Sequence, residues 1–116
     1  MKYLLLLLLT GCTCMTDVSA RYTAQRDAVC MLIPAGCPRD VPVYEVDSTE
    51  GLCAPAGPAC YRLDERVIYV QADNTIDPWL LLTHEWIHAA LVATGQDDVH
   101  GPVFQRYMRM ASMMRP

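Results

Sequence analysis

A chain of 116 residues has room for one hydrophobic core and too little for a second. Its formal charge of −4, isoelectric point near 5.1 and lack of any Lys or Arg run argue against a nucleic-acid partner, since phosphate neutralisation supplies most of such affinity. Hydrophobic residues reach 53%, an excess held largely in a leucine run at the start and in the segment from Trp79 to Val92, so the rest reads as an ordinary globular domain.

Met1-Lys2-Tyr3, six leucines and Thr10-Gly11-Cys12 give one positive charge, a short apolar stretch and then small residues, the layout of a secretory leader. The stretch is too short for a membrane span, which takes about 20 apolar residues. Leu9-Thr10-Gly11-Cys12 resembles the bacterial lipoprotein signal, in which the leader is cut before a cysteine that carries a diacylglyceryl thioether. An ordinary cleaved leader is the alternative. The resemblance implies a signal peptide over 1–11, lipidation of Cys12, a tether over 12–20 and a domain over 21–116. That domain is expected outside the cytoplasm, anchored to a membrane of a bacterial cell envelope.

Five further cysteines follow. An even set in a small exported domain reads as a disulfide framework, and Cys30 and Cys37, like Cys53 and Cys60, are close enough for two local bridges. Four cysteines allow three connectivities, and Cys14 is left over. A four-cysteine zinc site would use close Cys-x-x-Cys pairs, which are absent from the sequence.

Along the domain, Tyr22, Val29 and Leu32 with intervening alanines suggest a helix from about Ser19 to Leu32, ended by Pro34 and Gly36. Val41 to Val46 alternates as a strand that Pro42 assigns to an edge or a strand start. Residues 47–58 read as a loop. Cys60 to Leu63 and Arg66 to Val70 flank Asp64-Glu65 as a hairpin. Asp77-Pro78 opens a helix that should run to about Thr94, where Gly95 permits a left-handed close. A last helix follows Gly101-Pro102, with Val103, Phe104, Tyr107, Met108, Ala111 and Met114 on one face. The expected fold is α+β, a small antiparallel sheet packed against an N-terminal helix, a central helix and a C-terminal helix.

The central helix carries His84-Glu85-Trp86-Ile87-His88. Side chains four apart share a helix face, so both imidazoles reach one ion while Glu85 projects beside them towards a bound water. That pattern points to zinc chemistry, with Glu85 as general base. Catalytic zinc takes three protein ligands and a water. No Glu follows Glu85, and the extended metzincin pattern fails because Leu91 and Thr94 stand where Gly and His are needed. His100 remains, with Asp97 and Asp98 as weaker oxygen donors. Trp86 and Ile87 read as core. Tyr107 reads as core packing more readily than as an oxyanion donor.

Together, His84, Glu85, His88, Ala89 and Leu91, then Thr94-Gly95, then Asp97, His100, Gly101, Pro102 and Phe104 resemble the SprT-like zinc metallopeptidases, the Spartan type. The resemblance runs from about Val67 to Met108. It implies a minimal zincin fold, one zinc ion on His84, His88 and His100, a catalytic Glu85 and hydrolysis of peptide bonds in a protein or peptide substrate. The zinc-ribbon and DNA-binding extensions of that family have no counterpart in this sequence, so its substrates are not carried over. The alternative expectation is a non-enzymatic zinc-binding envelope lipoprotein, its metal closed off by a fourth ligand such as Asp97 or Asp98.

Overall fold

The computed structural model describes residues 15–116, so the leader, Cys12 and Cys14 lie outside the described residues. The fold is α+β: a four-stranded sheet with three α-helices. The strands are β1 (Met15–Asp17), β2 (Val43–Val46), β3 (Ala59–Arg62) and β4 (Val67–Gln71), and the helices are α1 (Thr23–Leu32), α2 (Pro78–Ala93) and α3 (Pro102–Met113). Among these helices none is long and apolar enough to cross a membrane.

The sheet corrects one expectation, because it is mixed and not purely antiparallel. Its order is β1-β2-β4-β3, with β2 and β4 parallel and the two outer pairs antiparallel. The hairpin of β3 and β4 forms as its sequence suggests, but β4 also inserts beside β2. The cause is burial: Ile68, Tyr69 and Val70 are buried in succession, and a strand covered on both faces belongs in the middle of a sheet.

Three boundaries also differ from the sequence reading. Met15–Asp17, within the stretch read as a tether, pairs with β2 as an edge strand. Ser19 does not open α1; Ser19–Tyr22 form a 3-10 turn instead. The Ser19 hydroxyl donates to Asp17 Oδ1 at 2.7 Å and accepts the Val43 amide at 2.8 Å, which binds this residue to the sheet and delays the helix to Thr23. The strand expected from Val41 starts at Val43.

Helix α2 is the centre of the molecule. A helix apolar nearly all round must be covered on all sides, and α2 is packed by α1, α3, β3 and the turn Pro34–Gly36. Trp86, Ile87, Ala90 and Leu91 are completely buried, as the sequence reading placed Trp86 and Ile87. The two tryptophans also tie the helix down, Trp79 Nε1 donating to the Ala111 carbonyl at 2.9 Å and Trp86 Nε1 to that of Val41 at 3.2 Å. Gly36 lies so close to α2 that a β-carbon there would collide with the Ala90 carbonyl.

Both ends of α2 are closed by the residues expected. Asp77 accepts the Trp79 amide at 2.9 Å ahead of Pro78, filling one of the free donors of the first turn. At the other end Gly95 takes φ +69°, and the Gln96 amide reaches back to Leu91 O at 2.8 Å while the Gly95 amide reaches Val92 O at 3.1 Å. These two bonds form a Schellman close, and they turn the chain back along the helix.

Among the described residues two disulfides are formed, Cys30–Cys37 and Cys53–Cys60, the local pairing. The first ties the end of α1 to the turn that packs on α2. The second closes the loop leading into β3, where buried Thr49 also donates to Gly57 O at 2.6 Å and accepts the Gly57 amide at 3.0 Å.

Candidate metal centre

His84 and His88 project from one face of α2, as their spacing requires, and the reversal at Gly95 returns the chain so that His100 faces them. His100 Nε2 lies 3.1 Å from His88 Nε2 and 3.2 Å from His84 Nε2. Three imidazoles meeting through the same ring nitrogen set lone pair against lone pair unless a cation or protons stand between them. For a tetrahedral zinc site with Zn–N of about 2.0–2.1 Å, nitrogens are expected about 3.3–3.4 Å apart. The observed spacings are close to that figure, and the three residues form a group able to hold a metal ion.

Protonation favours the same use. Burial pushes His84 down to about 4, with the neighbouring imidazoles adding to the effect. His88 is also lowered by burial, against the opposing pull of Asp97. Both rings are therefore neutral at pH 7, with a lone pair free to donate. On the far side of the His88 ring, Nδ1 lies 3.4 Å from Asp97 Oδ1, an arrangement that keeps the proton on Nδ1 and the lone pair on Nε2.

The two aspartates that the sequence left as alternative donors have other partners. Asp97 Oδ1 also accepts the Val99 amide at 3.0 Å. Asp98 turns the other way and accepts the Val103 and Phe104 amides at 2.8 and 3.0 Å, capping α3 from outside the helix. Burial alone would raise the Asp98 carboxyl, but those amides outweigh it and hold it below the usual carboxylate range. The cap also needs Gly101, since a β-carbon there would meet the Asp98 carboxylate.

Phe104, the residue this cap orients, is fully buried and backs the whole cluster. Its ring centroid is 4.7, 4.4 and 5.1 Å from those of His84, His88 and His100. Val99, just before His100, has φ +63°. A β-branched residue in the left-handed region is strained, and here the strain is held by the turn that delivers His100.

Glu85 is buried beside His84, and burial pushes its carboxyl up to about 7, with the Tyr61 backbone amide acting in the opposite sense. Both it and the histidines open on a cleft of about 650 Å³. One wall is the disulfide-closed loop from Ala54 to Pro58 continuing into β3, and the other is the turn of Asp97, Val99 and His100. Tyr107 is not among the residues lining this cleft; it packs on the core with Arg106 over its ring, 5.3 Å from the centroid.

Sequence reasoning found the three histidines and Glu85, and it left the division of labour between Asp97 and Asp98 open. The start of the last helix, just after His100, suggests Phe104 packing that fixes the approach of that one ring, but not its place behind all three imidazoles, and the sequence carries no signal for the Tyr61 amide or the loop wall. Comparison of the chain with known protein families, curated proteins and solved structures finds no match.

Proposed function

We propose that this protein is a zinc-dependent metallopeptidase, exported and tethered to a bacterial envelope membrane through Cys12, that hydrolyses peptide bonds in a protein or peptide. The observation that carries the reading is the convergence of three Nε2 atoms, 3.1 and 3.2 Å apart, on a cleft whose floor also holds Glu85. The likeness of these motifs to the SprT-like metallopeptidases supports it further.

Bound by His84, His88 and His100, zinc would supply Lewis acidity, lowering the pKa of a water and polarising the substrate carbonyl. Glu85 accepts the proton that water gives up as its oxygen bonds to the carbonyl carbon. The same carboxyl returns that proton to the departing nitrogen as the C–N bond breaks. Asp97 keeps the His88 ring in the tautomer that donates from Nε2. With Asp97 and Asp98 engaged elsewhere, the metal-ligating group among the described residues is three donors without a fourth, which supports the open arrangement of a catalytic site over the closed one of a structural site. A peptide substrate suits the cleft because β3 is an edge strand along it, with backbone groups on its free side suited to pairing with an extended chain.

The test is metal analysis and a peptide-library cleavage assay on the oxidised domain. One zinc per chain and cleavage lost to a chelator are expected. Glu85→Gln should keep the zinc and lose hydrolysis. Cleavage by Glu85→Gln within a few-fold of the parent would remove Glu85 as the base, and a protein that binds no zinc would end the reading. For the anchor, the full chain expressed in a bacterium should incorporate labelled palmitate and Cys12→Ser should not; an equally labelled Cys12→Ser protein would move the anchor elsewhere.

A further inference from the structure

A second hollow, of about 390 Å³, opens beside His84 and Glu85 and is lined by residues of β3, α2 and α3. It shares Pro58 and Ala59 with the main cleft, so an extended chain lying along β3 passes its mouth. Its remaining walls are Ile76, Leu80, Leu81 and Met108, all apolar. Ile76 and Leu80 are 45% and 37% exposed, large apolar side chains turned outward at the rim of a site and not into the core. Among the described residues, no charged or hydrogen-bonding side chain apart from the two site residues lines this hollow. A charged or amide side chain entering it would lose its water without replacement, whereas a bulky apolar one would lose nothing.

We infer that this pocket selects a bulky apolar side chain, of the Leu, Met or Phe kind, on a residue flanking the scissile peptide bond, with Leu80 and Met108 setting its depth and polarity. The inference rests on the peptidase reading for the reaction and on the pocket alone for the preference.

Two measurements separate them. In a peptide library, cleavage should cluster where Leu, Met or Phe occupies one fixed position beside the cut, favoured over Ala or Asp by about tenfold to a hundredfold. Leu80→Glu should reverse the order in favour of Lys or Arg, and Met108→Trp, which puts a larger side chain in the lining, should favour Ala over Phe. The second measurement needs no turnover: zinc-loaded Glu85→Gln is titrated calorimetrically with short peptides differing only at that position. The Leu peptide should bind about tenfold tighter than the Ala peptide, and Leu80→Glu added to Glu85→Gln should remove the difference. Cleavage with no apolar preference on either side of the cut, or equal binding of the Leu and Ala peptides, overturns the pocket assignment while leaving the peptidase reading intact. Leu-selective binding without any cleavage by the parent protein retains the pocket and overturns the peptidase reading.

Discussion

Removing one carboxylate or imidazole at a time around the cluster should produce three distinct outcomes. His100→Ala deletes a donor whose Nε2 lies within 3.2 Å of both others. Structural zinc sites with four ligands bind with about 10–16 kcal/mol, so one ligand accounts for about 2.5–4 kcal/mol, a loss of about a hundredfold to a thousandfold in affinity. Asp97→Ala leaves all three donors and removes the carboxylate that orients His88 through Nδ1, 3.4 Å away, and that accepts the Val99 amide at 3.0 Å. Partners of this kind are worth about tenfold to a hundredfold, and this long contact belongs at the lower end. Asp98→Ala uncaps α3 and should lower the melting temperature by about 4–8 °C, with little direct effect on zinc affinity. Competition against a chromogenic chelator reads the affinities, and thermal unfolding at saturating zinc reads the cap. If Asp97→Ala or Asp98→Ala loses zinc as completely as His100→Ala, the third ligand is an aspartate, and the division of roles argued from these distances is wrong.

Other perturbations test the frame around the site. Burial alone raises the Asp77 carboxyl, but the Arg115 side chain and the Trp79 amide outweigh it and leave it below the usual value of 3.8. A group lowered in the folded state stabilises above its unfolded pKa and loses that contribution as pH falls through its folded pKa. The stability gap between the parent and Asp77→Asn should therefore be full at pH 6 and shrink below about pH 3.9 in denaturant titrations; a gap that widens in acid would refute the assignment. Replacing Cys53 and Cys60 together by Ser opens a loop of about eight residues and should cost about 2.5 kcal/mol. Because that loop walls the cleft and holds no zinc donor, peptide cleavage should fall while bound zinc remains, and loss of the metal would contradict this. Val99→Asn, at a 60% exposed residue with φ +63°, should raise stability by about 1 kcal/mol in urea unfolding without changing zinc affinity. A destabilised Val99→Asn protein would mean that the turn is not under the strain described.

What could be read from the sequence is what depends on neighbours in the chain. The span of α2, with Asp77-Pro78 ahead of it and Gly95 behind, follows from capping chemistry within a few residues. The shared face of His84 and His88 follows from helical spacing, and the two disulfides took the short pairing that closes the smallest loops. The hairpin of β3 and β4 is local in the same sense. Features set by distant partners needed the tertiary structure. The parallel pairing of Val43–Val46 with Ile68–Gln71 joins residues about 25 positions apart, and burial of β4 on both faces, not any turn, selects it. Met15–Asp17 looks like linker because its strand character comes from the free edge of β2. Asp97 and Asp98 are chemically equivalent in the chain, and only the folded turn sends one carboxylate to His88 and the other to the amides opening α3. The ring of Phe104 behind all three imidazoles depends on the same turn, because a side chain's contacts across a core are fixed by how helices pack and not by spacing along either one.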